Sequence, residues 1–163
     1  MPRSTPVYLL LHLVLFGCGP DSKKAAATAY VATMTPILAQ NTTLSRTYLS
    51  MAAKIKKNEL STAQIAKRFG KRLVPQAQAL ATAVSAVEPV PPTVSEVHIG
   101  LERAWRNRAQ AYGQMHKAWA AEDLTMFNGA ARDHATVNRA EERYFESVNT
   151  LLAPHGLELN QYP

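Results

Sequence analysis

An all-α fold, an antiparallel four-helix bundle made of two helical hairpins, is what this sequence predicts, and three observations predict it. Apolar residues recur at steps of three and four through four long stretches, and no alternating run is long enough for a strand. Alanine supplies much of an apolar fraction of 47%, while Gly accounts for only 7 of 163 residues; alanine loses no side-chain entropy on entering a helix. One proline-rich break, Glu88-Pro89-Val90-Pro91-Pro92, divides the stretches into two pairs, because prolines and the residues before them resist the helical conformation.

The first predicted helix covers residues 23–57, with Tyr30, Ile37, Leu38, Leu44, Tyr48, Met51 and Ile55 on its apolar face. Gly19-Pro20-Asp21-Ser22 ahead of it reads as a short tether. Pro36 predicts a kink or a restart, and Asn41-Thr42-Thr43 a second weak point where side chains compete for backbone bonds. The second helix opens on the capping box Ser61-Thr62-Ala63-Gln64 and runs to Val87 through Ile65, Phe69, Leu73, Leu80 and Val84. Gly70 and Pro75 predict an irregularity inside it. The third opens on Thr93-Val94-Ser95-Glu96, read as another capping box, and extends to Ala121. Its seam is Val97, Leu101, Ala104, Ala111, Met115 and Ala118, with the charged Arg108 among them. The fourth runs from Asp123 to Leu152 along Phe127, Ala130, His134, Val137, Glu141, Tyr144, Val148 and Leu151, and Pro154 and Gly156 close it. The tail after Gly156 is expected to strap over the bundle.

Residues 1–17 have the layout of a secretory signal: Arg3 in a positive leader, the apolar run Val7–Phe16, and the small residue Gly17 at a cleavage position. As a helix that run rises about 15 Å, half of a hydrocarbon core of about 30 Å, so it is too short to span a bilayer. At Leu15-Phe16-Gly17-Cys18 the segment resembles the lipobox of bacterial lipoproteins; Leu15, Gly17 and Cys18 match, and Phe16 stands where a small residue is usual. The resemblance covers the signal and its junction only, and the helical domain carries no family signature. It implies cleavage between Gly17 and Cys18, attachment of diacylglycerol to Cys18 and acylation of the new amino terminus. Two or three acyl chains hold a protein firmly where one does not, at about 0.8 kcal/mol per buried methylene. With Gly19 after the cysteine in place of Asp, the resemblance to enterobacterial lipoprotein sorting implies an outer-membrane, periplasm-facing location. The organisation expected is thus a signal at 1–17, a lipidated tether at 18–22 and a helical domain at 23–163.

Charge is uneven. The chain carries a net +6, but residues 18–92 hold ten Lys and Arg against three acids, and residues 93–163 hold seven against nine. The excess centres on Lys54, Lys56, Lys57, Lys67, Arg68, Lys71 and Arg72, which flank the first predicted turn and so gather at one end of the bundle. They are candidates for contact with an anionic surface, against the plain alternative of a solvated helix end. The stripe Trp105, Tyr112 and Trp119, at steps of seven, is a candidate partner surface or a core seam. No nucleic-acid recognition motif accompanies the charge.

Catalytic patterns are missing. One cysteine forms no internal disulfide and no Cys-based zinc site. No histidine has Glu three positions before it, and no His-Glu-x-x-His, phosphate loop or Gly-x-Ser-x-Gly occurs. Glu141, Glu142 and Glu146 with Arg139 and Arg143 read as a solvated face with intrahelical ion pairs. The expectation is a non-enzymatic envelope lipoprotein without cofactor. It is bound to membrane lipid through Cys18 and adapts or assembles another envelope protein or anionic polymer. The alternative is a bundle that binds a small ligand or a copper-like metal through Met115, His116 and His134.

Overall fold

The computed structural model describes residues 20–161. Leu15, Gly17 and Cys18, with the rest of the expected signal, lie outside the described residues. The described chain is an antiparallel four-helix bundle, with no strand among the described residues. No described helix is long and apolar enough to cross a membrane.

The first rod is α1 (Pro20–Lys56), an unbroken helix of 37 residues, which rises about 55 Å. It starts three residues before the expected position, inside the expected tether. Proline suits a first turn, where its missing N–H would be unpaired anyway, and Asp21 there complements the helix dipole. The expected restart at Pro36 and weak point at Asn41-Thr42-Thr43 do not interrupt it. Thr35, Thr42, Thr43 and Thr47 each donate to the carbonyl four residues earlier, at 2.8–3.1 Å, and so work with the helix instead of against it. Asn41 is taken up by partners in the core.

The second rod is α2 (Thr62–Arg68), a π-helical turn (Phe69–Leu73) and α3 (Val74–Ser85), joined without a gap. Ser61 and Gln64 form the expected reciprocal cap, at 3.3 and 2.9 Å. The irregularity expected from Gly70 and Pro75 is the π turn. In a regular helix the Pro75 ring would strike the carbonyl of Lys71, and a widened turn relieves that clash. Gly70 has a separate reason. A Cβ built there would lie 2.8 Å from Cε1 of His116, whose Nδ1 donates to the Ala66 carbonyl at 2.9 Å.

The third and fourth rods are α4 (Ser95–Ala120) and α5 (Leu124–Leu152), followed by a 3-10 turn at Ala153–His155. The capping box expected at Thr93–Glu96 does not form; Val94 holds the cap position and no side chain caps the helix. Asp123 does cap α5, accepting from the Met126 amide at 2.9 Å. The seam of α5 ends on Leu152, not Leu151, because a period of 3.6 drifts from a strict alternation of three and four. Helices close on left-handed residues: Asn58 after α1, Glu122 after α4 and Gly156 at the end. After α1 the Glu59 amide reaches back to Lys54 and the Asn58 amide to Ile55, as in a Schellman cap. The tail is the expected strap: Leu159 is buried, and its amide and carbonyl are both held by the side chain of Asn149, at 2.8 and 3.0 Å.

Cross-helix partners establish the up-down-up-down order. Tyr30 meets His98 and Tyr144; Asn41 meets Arg108 and Glu141; Tyr48 packs on Tyr112 and His134. Numbers rise together in α1 and α4 and fall in α5, while Val84–His98 and Ala66–His116 set the second rod antiparallel to α4. The turn at residues 57–61 therefore lies at the end of the bundle opposite Pro20. Backbones of α4 and α5 run close together, whereas α1 reaches α5 mainly through long polar and aromatic side chains.

Gly70 and His116 should be coupled. Gly70→Ala alone is expected to cost about 1 kcal/mol, by displacing the imidazole from its carbonyl. In a His116→Ala background the same change should stabilise by about 1 kcal/mol through helix propensity. Urea unfolding of the four proteins of the cycle measures this, and additive effects would contradict the close approach.

Candidate functional site

Three polar layers cross the apolar core, and they take up most of its reactive side chains. In the first, His98 Nε2 faces the Val84 carbonyl at 3.2 Å and Glu102 at 3.5 Å. Both are acceptors, so Nε2 carries the hydrogen and Nδ1 accepts from the Tyr30 hydroxyl at 2.9 Å. Tyr144 then donates to the Tyr30 oxygen at 2.8 Å. Burial lowers the His98 pKa and pushes Tyr30 up to about 12; Tyr144 is raised further, by burial and by the neighbouring Tyr30. All three are therefore neutral near pH 7.

The middle layer holds Asn41, Arg108 and Glu141, which are 2%, 3% and 6% exposed. Arg108 Nη2 is ion-paired with Glu141 Oε2, and Nη1 donates to Asn41 Oδ1 at 2.6 Å. Asn41 Nδ2 donates to Glu141 Oε1 at 2.6 Å, and the Trp105 indole donates to the same oxygen at 3.2 Å. Arg108 and Glu141 neutralise each other, so Glu141 is not on the solvated face expected from sequence. Glu142 and Glu146 are exposed, and among the described residues no ion pair joins them to Arg139 or Arg143.

The third layer is aromatic. Tyr48 stacks on Tyr112 at 5.4 Å, and His134 lies against both, with its Nε2 3.1 Å from the Tyr112 hydroxyl. Phe69 closes the cluster edge-on. Burial, and then the charge of Arg108, lower the His134 pKa to about 4. His116 is engaged elsewhere, on the Ala66 carbonyl, and Met115 is fully buried. Separate partners thus occupy the residues expected to converge on a metal, and no group of three His, Cys, Asp or Glu suited to a metal occurs among the described residues.

Burial also corrects the aromatic stripe. Trp105 and Tyr112 are each 1% exposed, so they belong to the core seam and offer no surface to a partner. Trp119 sits half-buried on Phe127 at the far end of α4, beside Leu124, which is 66% exposed.

The basic residues remain as the accessible chemistry. Lys54, Arg68 and Arg72 line a cleft of about 380 Å³ between α1 and the second rod, together with Arg46. Arg46 went unnoticed in the sequence, although Arg46, Ser50 and Lys54 step by fours along one face of α1. Met51 and Leu73 are also in the lining, and both are buried. Lys67 and Lys71 border an adjoining depression that shares Arg68 and Arg72 with the cleft. Lys56 and Lys57 are exposed and line neither, and Lys57 lies 4.0 Å from Glu59. A larger groove of about 790 Å³ runs between α4 and α5, but small residues such as Gly100, Ala104 and Ala140 share it with neutral amides and charges of both signs, so no single chemistry converges there.

No protein-family model, curated protein or solved structure matches the chain.

His134 gives the layers a pH signature. Its folded pKa lies below the unfolded value of about 6.5, so the unfolded chain binds more protons between pH 6.5 and 4. Its contribution is complete above pH 6.5 and is lost as the pH falls to 4, by roughly 3 kcal/mol. Urea unfolding at a series of pH values should show that slope, and His134→Gln should reduce it to the part that the buried His98 and the carboxylates contribute. An unchanged slope in the variant would contradict the buried neutral imidazole.

Proposed function

We propose that this chain is a membrane-anchored bacterial envelope lipoprotein whose bundle serves as a non-enzymatic adaptor or assembly factor for another envelope component. The observation that carries the reading is the polarity of the molecule. Cys18, where the lipobox resemblance puts the lipid, precedes Pro20 by two residues, which span at most about 7 Å. The cationic cleft and the exposed Leu124 lie at the opposite end of the bundle, tens of ångströms away. A protein held at one end and charged at the other is suited to joining a membrane to something beyond it.

Interior chemistry supports a non-catalytic role. The buried histidines and tyrosines are neutral and committed to one another, and the buried carboxylate is neutralised by Arg108. None stands free in a cleft to act as acid, base or nucleophile. Gly19 after Cys18 supports an outer-membrane anchor facing the periplasm, and an anionic polymer or an acidic protein of the envelope is the partner class that matches the basic end.

Membrane fractionation with mass spectrometry tests the reading. The native protein should sediment with membranes and begin at a diacylglyceryl-modified Cys18, and Cys18→Ser should appear in the soluble fraction. A photocrosslinker at Leu124 should join the anchored protein to an envelope component. An unmodified Cys18, a retained Met1 or a protein that stays solitary on crosslinking would each count against it.

A further inference from the structure

We infer that the cleft between α1 and the π-turn rod is a binding site for a phosphate-bearing ligand with at least two phosphate groups. The inference deepens the reading of the far end as the binding end, and it rests on that reading only for where the ligand is met.

Two elements supply the charge. Arg46 and Lys54 come from α1, and facing them are Arg68, at the end of α2, and Arg72, within the π turn. No carboxylate lines the cleft, and none of the four cations is ion-paired among the described residues. Arg68 and Arg72 border the same two hollows, so like charges are gathered there with no acid in the cleft between them. Within the same bundle Arg108 is matched by Glu141; these four have no such counter-charge. A mobile anion is the missing partner.

Chemistry narrows the anion. Thr43 and Thr47 are in the lining, but their hydroxyls already donate to helix carbonyls, at 3.1 and 2.8 Å. The donors left are three guanidinium groups, one ammonium and Ser50. Guanidinium forks pair two N–H groups with two oxygens, and a phosphate offers enough oxygens for several forks at once, which a single carboxylate does not. Arg46 and Arg72 are exposed and Lys54 and Arg68 half-buried over the buried Met51 and Leu73, so all four cations can be reached from solvent. The adjoining depression, with Lys67, Lys71 and Gln64, shares Arg68 and Arg72 with the cleft. Two anion-binding hollows built on one pair of arginines fit two phosphates of one ligand. The π turn, which begins just after Arg68 and contains Arg72, is of the kind that recurs at functional sites.

Such phosphates come from a lipid headgroup or from a non-lipid phosphate compound, and two measurements separate these. Calorimetric titration of the protein purified from its native source in non-ionic detergent with pyrophosphate, at constant ionic strength, should give saturable one-to-one binding. Arg68→Gln/Arg72→Gln should weaken it at least about tenfold. Arg132→Gln/Arg139→Gln, an equal charge loss on exposed α5 positions, should leave it within about twofold. Circular dichroism checks that each variant is folded. Co-sedimentation of the full chain carrying Cys18→Ser with phosphatidylcholine vesicles, with and without cardiolipin, a lipid bearing two phosphates, then identifies the source. Greater capture with cardiolipin assigns the site to lipid phosphate, and equal capture on the two assigns it to a non-lipid phosphate. Absence of saturable pyrophosphate binding overturns the proposal whatever the vesicles do, and so does equal weakening by the two variant pairs. Neither outcome bears on anchoring at Cys18, and an unlipidated Cys18 with intact pyrophosphate binding would sink the envelope reading and leave the cleft standing.

Discussion

Arg108 and Glu141 meet inside the bundle, and everything else in the arrangement has to respect that meeting. Removing either would leave the other charge buried and unpaired, at a cost of about 3–5 kcal/mol, a large part of the stability of a domain this size. Any register that separates them carries the same cost. Sliding one helix by a turn displaces it about 5.4 Å and breaks the pair together with both bonds of Asn41. Apolar seams rich in alanine tolerate such slips, because one small residue replaces another. The ion pair does not, and the aligned layers at Tyr30–His98–Tyr144 and Tyr48–Tyr112–His134 reinforce it on either side.

Fixed register has a consequence at the surface. It sets α1 parallel to α4 and antiparallel to the second rod, and so carries the turn after Lys56 to the end opposite Pro20. Charges inside the bundle cancel, while those around Arg46, Lys54, Arg68 and Arg72 do not. The molecule is left with a quiet interior and one end of strongly positive potential. That distribution is what an association surface needs, since exposed charge steers encounter and selects partners by sign.

Much of this was legible in the chain. Periodicity located all four rods, and the break at residues 88–92 separated the hairpins, because long amphipathic patterns and proline runs act locally. Arg108 was visible as a charge in an apolar seam and Glu141 fell on the seam of its own helix, but nothing local says that two such residues pair across 33 positions. Glu141 was therefore misread as part of a solvated face. Pro36 misled because a long helix packed along its length outweighs one missing hydrogen bond. Pro75 did mark an irregularity, yet its form, a π turn with Gly70 making room for His116, depends on a side chain from another helix. Trp105 and Tyr112 were ambiguous between core and surface, since a step of seven fits both. Arg46 was missed because its neighbours across the cleft are more than twenty residues away. Lipidation at Cys18 is a reading of the sequence alone.

The most direct test is a distance across the bundle. Spin labels at Lys24 and Lys71, both exposed, report the separation of the Pro20 end of the bundle from the cleft by double electron–electron resonance. Lys71 lies level with the part of α1 near Tyr48, so the axial separation should be about 35 Å, from some 24 residues of helical rise, in a single narrow distribution. A distance below about 20 Å, as a break at Pro36 or a reversed second rod would give, or two comparable populations, would contradict the register that the buried pair imposes.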